Sequence, residues 1–290
     1  MGRPFGRRDC VGLWLADGTT SHLKILACYN GRMTSEAVPD PRLVALIRDA
    51  QHILLFTGAG ISTRSGIPDY RGPKGVWKTR KPVYYDQFMN FHGARVEYWD
   101  FKADGWEAFR DAEPNAVHHA IVALEERGKL EMVVTQNIDG LHEKAGTSLD
   151  RLVEIHGTDR AIACQTCGDR SAPEPHYQAF RETREPPVCE LCGGWLKPAT
   201  ISFGQNLVVA DMERAMEAAS RSDLVIALGS TLAVYPAARI PLMAVDDGAR
   251  YVIINMGKTE HDHMHDLDLR LDGDVTELFP PAVEAALSNA

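Results

Sequence analysis

ILLFTGAGIS, residues 53–62, decides the fold. Ile53 to Phe56 is apolar without alternation, as expected of a strand covered on both faces, and it runs straight into a glycine-rich turn of the kind that feeds a helix. Similar runs recur at Met132 to Thr135, Leu152 to Ile155, Thr200 to Phe203, Leu224 to Leu228 and Tyr251 to Asn255, each ending at small or polar residues. Between them lie stretches with helical periodicity. Asn115 to Arg127 places Val117, Ile121 and Leu124 on one face, and Asp211 to Ala219 does the same with Met212, Ala215 and Met216. Pro114 and Asp211 stand where helix-start residues belong. This alternation predicts an α/β fold, a doubly wound Rossmann-like parallel sheet.

Working outward, two stretches interrupt the pattern. Residues 78–110 are rich in aromatics, among them Tyr84, Phe88, Tyr98, Trp99 and Trp106, and read as a helical insertion with a small core of its own. Residues 160–196 carry four of the six cysteines. Together the two would form a smaller lobe, a zinc-ribbon module beside a helical insertion, with a ligand cleft facing the sheet. The Rossmann-like parts are then 41–77, 111–159 and 197–290, with residues 1–40 an extension bearing Arg3, Arg7 and Arg8. At 290 residues and 44% hydrophobic content the chain can bury one sizeable core. Its net charge of −9 creates no field that would draw nucleic acid or an anionic membrane. No apolar run spans a bilayer or resembles a secretory signal, so a cytoplasmic protein is expected.

Cys164-x2-Cys167 and Cys189-x2-Cys192 lie twenty-one residues apart. Two such turns present four thiolates, which is what tetrahedral zinc requires, and Gly168 and Gly193 suit the tight backbone around sulfur. A site filled by four cysteines leaves no position for water or substrate, so the zinc is structural. Zinc ribbons also bind nucleic acid, but Glu174, Glu182 and Glu185 between the pairs oppose that use. Cys10 and Cys28 read as free thiols. His261, His263 and His265, interleaved with Asp262 and Asp266, could bind a transition metal but read more simply as a solvated loop.

Gly58 and Gly60 would let backbone approach a diphosphate at a helix start. The hydride-transfer fingerprint G-x-G-x-x-G is absent, because Thr63 stands three residues beyond Gly60, and no acidic residue follows about twenty positions on to grip a ribose. Taken singly, Asn137 and Asp139 would be turn or cap residues and His156 a surface histidine. Jointly they carry a resemblance. GAGISTRSGIPDYRG (58–72), TQNIDGLH (135–142), EIHG (154–157), Phe203-Gly204, GSTL (229–232) with Val234 and Pro236, and Ile254-Asn255 resemble, in order, the signature blocks of the sirtuins, NAD-dependent protein deacylases. Tyr70 stands where phenylalanine is commoner.

The resemblance implies NAD and one structural zinc as cofactors, and an acyl-lysine protein or peptide as substrate. It implies that Gly58, Ala59, Gly60 and Arg71 contact the diphosphate and ribose, with Thr63, Pro68, Asp69, Tyr70 and Trp77 around them. Asn137 and Asp139, flanked by Gln136 and Ile138, would bind nicotinamide and its ribose. His156 would be the base, and His156, Asn137 and Asp139 the catalytic set. Gly229, Ser230, Thr231, Asn255, Met256 and Gly257 would hold the adenosine half, with Asp274 and Val275 closing over the adenine. Ile201, Phe203, Gly204 and Val234 would bind the peptide. Family members often carry acidic residues where Ala199 and Gln205 stand, so a preference for basic peptides is not implied. The Tyr and Arg pair of desuccinylating members is not evident, Phe101 and Lys102 occupying that region, which implies neutral acyl groups. Mono-ADP-ribosyl transfer and NAD hydrolysis or sensing are the alternatives; the first is opposed by His156, and the second would show as nicotinamide release without acyl substrate.

Overall fold

The computed structural model describes residues 25–29, 32–36, 38–72 and 75–288. The chain divides into two compact units between Val38 and Pro39. In the first, β1 (Ile25–Tyr29) and β2 (Arg32–Glu36) form an antiparallel hairpin with Tyr29 opposite Arg32. Arg3, Arg7, Arg8 and Cys10 lie outside the described residues.

The second unit begins with α1 (Pro41–Asp49), whose start is set by Asp40 accepting from the Arg42 N–H at 2.8 Å and by Pro41 in the first turn. There follow β3 (Ile53–Thr57), α2 (Tyr85–Asn90), α3 (His92–Asp111), α4 (Ala116–Glu126), β4 (Leu130–Thr135), α5 (Leu141–Ala145), β5 (Leu152–Glu154), β6 (Gly157–Cys164), β7 (Arg170–Ser171) and α6 (Pro173–Thr183). The chain continues through β8 (Leu196–Thr200), α7 (Val209–Arg221), β9 (Leu224–Leu228), α8 (Arg239–Asp246), β10 (Arg250–Asn255), β11 (Leu269–Asp272) and α9 (Val275–Ser288). Asn115, rather than Pro114, caps α4, accepting from the Val117 N–H at 2.9 Å. Asp211 lies inside the first turn of α7.

Six strands form one sheet in the order β11-β10-β9-β3-β4-β5, and every neighbouring pair is parallel. Strand periodicity sorts its residues into two cores. Ile53 and Leu55 of β3 face α1, α4 and α9, while Leu54 and Phe56 face α7 and α8. All four are fully buried, and burying each contributes about 1.5–3 kcal/mol. The doubly wound sheet is thus as the sequence predicts.

Thr200 to Phe203 is a correction. Only Thr200 of that run is strand, the last residue of β8, and β8 belongs to a separate three-stranded antiparallel sheet, β7-β6-β8, from which Ile201 to Phe203 depart as irregular chain. Lys197 and Pro198 disguise it, since both look like interruptions; Lys197 is fully buried and donates to the carbonyls of Pro198 and Thr200. The aromatic stretch of α2 and α3 and the cysteine segment also share a single core. Trp106 stacks on Tyr177 of α6 at 4.6 Å, and Trp99 donates to the Leu196 carbonyl at 3.1 Å.

Candidate active site

The order of the sheet places a switch point at β3. The chain passes from β3 to β4 and β5 on one side, and later builds β9, β10 and β11 on the other. Loops leaving β3 and β9 therefore diverge, opening a crevice at the carboxyl ends of these strands. Glycine lets the two loops meet. Gly58 donates to the Leu228 carbonyl and Gly60 to the Gly229 carbonyl, both at 2.9 Å. A Cβ on Gly60 would lie 2.7 Å from Gly229 Cα, and Gly229 itself holds a left-handed φ of 61°. Gly58 and Gly60 thus spend their N–H groups on joining the loops.

A cavity of about 780 Å³ fills this crevice and extends towards the small lobe. Its wall includes Gly58, Ala59, Gly60, Thr63, Asp69, Tyr70, Arg71 and Trp77 from the β3 loop, then Gln136, Asn137, Ile138 and His156. Ile201, Phe203 and Gly204, with Gly229, Ser230, Thr231 and Val234, and Asn255, Met256, Asp274 and Val275 complete the expected set. Pro68 and Gly257 are exposed and off the wall.

Asp139 also lies behind the wall. Its carboxylate accepts from Ser62 Oγ at 2.7 Å and from the Leu141 N–H at 3.0 Å. Ser62 in turn accepts from Asn137 Nδ2 at 3.2 Å, and the same Nδ2 donates to the Gly58 carbonyl at 3.2 Å. Asp139 therefore orients Asn137 through Ser62. Burial raises the Asp139 carboxyl above its usual range, opposed by the Leu141 N–H and the Ser62 hydroxyl.

His156 projects from the turn between β5 and β6. Its Nδ1 lies 3.2 Å from the Gln136 carbonyl. A carbonyl can only accept, so Nδ1 carries the proton and Nε2 keeps a free lone pair. Burial lowers the imidazole pKa below the ordinary 6.5. The Ile201 N–H donates to the His156 carbonyl at 2.7 Å, which brings the segment following β8 alongside the histidine. Gln136 Nε2 reaches across to Ser230 Oγ at 2.8 Å, tying the β4 loop to the β9 loop. Opposite, Trp77 stacks on Tyr70 at 5.1 Å and meets Phe203 edge-on at 6.2 Å.

The four cysteines gather at one point, their sulfurs all within 4.8 Å of one another. Cys164 and Cys192 are 3.5 Å apart and Cys167 and Cys189 3.8 Å. Zinc–sulfur bonds of about 2.3 Å place tetrahedral sulfurs about 3.8 Å apart, so the set fits zinc. The N–H groups of Cys167 and Thr166 point at Cys164 Sγ and pull its thiol down to about 6.

Sequence reasoning missed Tyr98 and Tyr235, which line the cavity together with Lys102 and Gln205. Helical spacing of Tyr98 and Lys102 was available as a signal, but not which face of α3 the cavity would take. The histidine cluster divides: His263 and His265 are exposed, whereas His261 is buried and hydrogen-bonded to tyrosines.

A parallel doubly wound sheet with a dinucleotide-sized crevice at its switch point, a neutral histidine on the wall and a four-cysteine lobe beside it define a nucleotide-dependent enzyme with a structural metal module. The Sir2 family model matches residues 58–236. An NAD-dependent protein deacetylase of Rhodopseudomonas palustris is 41% identical over 78% of this chain and 90% of its own length. Among solved structures, a Sir2 complex with a deacetylated p53 peptide and 3′-O-acetyl-ADP-ribose has a TM-score of 0.77 at 33% identity, over 87% of this chain and 99% of that one. A Sir2 complex with p53 peptide and NAD+ gives 0.76 at 34% identity, over 86% and 98%. The chain belongs to the Sir2 family. Among the described residues, no helix is long and apolar enough to cross a membrane.

Proposed function

We propose that this chain is an NAD-dependent protein lysine deacylase, acting on acetyl or other neutral acyl groups and releasing nicotinamide and 2′-O-acyl-ADP-ribose. The observation that carries this reading is His156, neutral, with Nδ1–H on a carbonyl and Nε2 free on the cavity wall. NAD, when bound, supplies a ribose carbon that becomes open to attack as nicotinamide leaves.

The chain's own residues do the rest. Asn137, fixed by Gly58 and Ser62, orients the nicotinamide end, with Asp139 acting through Ser62. Arg71 is the cation for the diphosphate, and Ser230, Asn255 and Val275 bound the adenosine end. Ile201, Phe203, Gly204 and Val234 receive the extended substrate, whose backbone adds between two enzyme segments. His156 Nε2 takes the proton of a ribose hydroxyl, so that this oxygen can attack the acyl carbon. Lys102 supports neutral acyl groups, because its ammonium is already paired with Asp159, 3.2 Å from each carboxylate oxygen. The four cysteines would hold the zinc, and none of them lines the cavity.

The test incubates the zinc-loaded protein and its His156→Ala variant with NAD and a panel of acyl-lysine peptides, following nicotinamide and O-acyl-ADP-ribose by mass spectrometry. O-acyl-ADP-ribose formed only with His156 intact is the expected result. Nicotinamide without deacylated peptide would replace the reading with ADP-ribosyl transfer or NAD hydrolysis.

A further inference from the structure

The loop between β9 and α8 carries Val234 and Tyr235 on the cavity wall. Tyr235 is 59% exposed, unusual for a large ring beside a binding cavity, yet its hydroxyl is anchored. It lies 3.4 Å from His261 Nε2, and His261 Nδ1 lies 2.9 Å from the hydroxyl of Tyr251. Both His261 and Tyr251 are buried. A neutral imidazole has one donor and one acceptor nitrogen, so it can bridge two hydroxyls at once.

The loop that holds His261 is itself pinned. Asp262 accepts from Thr259 Oγ1 at 2.6 Å, from the Thr259 N–H at 3.0 Å and from Arg270 Nε at 2.8 Å. Glu260 donates its N–H to the Thr231 carbonyl at 3.0 Å, joining this loop to the one bearing Tyr235. Tyr235 is therefore fixed at its polar end while its ring faces outward. An aromatic ring held this way offers contact area at low entropic cost. With the hydroxyl occupied, what remains to a ligand is aromatic carbon, in a cavity that Val234, Ile201 and Phe203 also line.

We propose that Tyr235, held by His261 and Tyr251, is a positioning residue that gives an apolar side chain flanking the acyl-lysine a flat surface to rest on. This rests on the deacylase reading above. His261 acts only through Tyr235, so its loss and that of Tyr235 are not independent.

The experiment compares two acetyl-lysine peptides that differ at the flanking positions alone, leucine in one and glycine in the other. Wild-type protein favours the leucine peptide through KM, and Tyr235→Ala reduces that preference about 10-fold, the scale of one apolar contact, while the ratio of kcat values stays the same. Tyr235→Phe and His261→Leu, which keep a ring at 235, each give a smaller reduction. Combining Tyr235→Ala with His261→Leu reduces the preference no further than Tyr235→Ala alone. Equal loss on both peptides, additive losses in the double variant, or an unchanged preference in Tyr235→Ala and Tyr235→Phe would each overturn the proposal. Absence of any NAD-dependent deacetylation by the wild-type protein would instead overturn the deacylase reading.

Discussion

His156 is poised as a base because two local facts agree. The Gln136 carbonyl fixes the tautomer, and burial disfavours the imidazolium. The acid limb of kcat/KM is therefore expected at a midpoint below the ordinary 6.5, with activity lost as pH falls through it. A midpoint at or above 6.5 in a pH–rate profile would contradict this assignment. His118 and His142 make a second residue-level case. Their rings are 5.0 Å apart, both are buried, and His118 Nε2 and His142 Nδ1 lack partners. Burial lowers the His118 pKa from 6.5 to about 4 and pushes His142 well down. The folded state then binds fewer protons than the unfolded one, so stability is full above pH 6.5 and lost as pH falls toward 4. His118 accounts for about 3 kcal/mol of that loss. Urea midpoints at pH 7 and 4.5 should therefore differ less in His118→Phe than in the wild type.

At the scale of elements, the close approach of the β3 and β9 loops depends on glycine. A Cβ on Gly229 would lie 2.7 Å from the Ile61 nitrogen, and φ is 61°. Gly229→Ala should cost about 3 kcal/mol, or prevent folding, because backbone must move. Gly248→Ala is the comparison. It has φ of 100° but nothing within 4 Å, and should cost only about 1 kcal/mol from strain. Thermal melts of the two variants measure the difference, and equal costs would remove the packing explanation. Four strands of the main sheet, β3, β4, β9 and β10, were legible because five or more buried residues in a row leave an unmistakable apolar run, and the short β5 was legible from Leu152, Val153 and Ile155. β11 was not, since Leu269-Arg270-Leu271-Asp272 is an edge strand with a half-exposed alternating pattern. β8 was missed, and the run from Thr200 to Phe203 placed in the main sheet instead, because a buried lysine reads as polar. In the site, the glycines, Asn137 and His156 were legible from ordered blocks, whereas the second-layer place of Asp139 depends on where Ser62 points.

At the scale of the molecule, the sheet and the smaller lobe stand on different physical footing. The sheet buries two extensive aliphatic layers, whereas the lobe relies on an aromatic core that includes Cys164 and Cys189 themselves. Metal bonds at the four cysteines would close the excursion between β6 and β8. Removing zinc should therefore melt the lobe ahead of the sheet. Three of the five tryptophans, Trp99, Trp106 and Trp195, sit in or against that core, so a Trp77→Phe background weights the fluorescence toward it. Treatment with a strong chelator is expected to red-shift the emission while most far-UV helical signal remains, and to turn one thermal transition into two. Deacetylation should disappear in the first, since the Ile201 to Gly204 segment leaves directly from β8 and takes its place beside His156 from that strand, through the Ile201 N–H on the His156 carbonyl. A single cooperative transition after chelation would mean that the two lobes share one folding unit, and that the sheet carries the cysteine module without help from the metal.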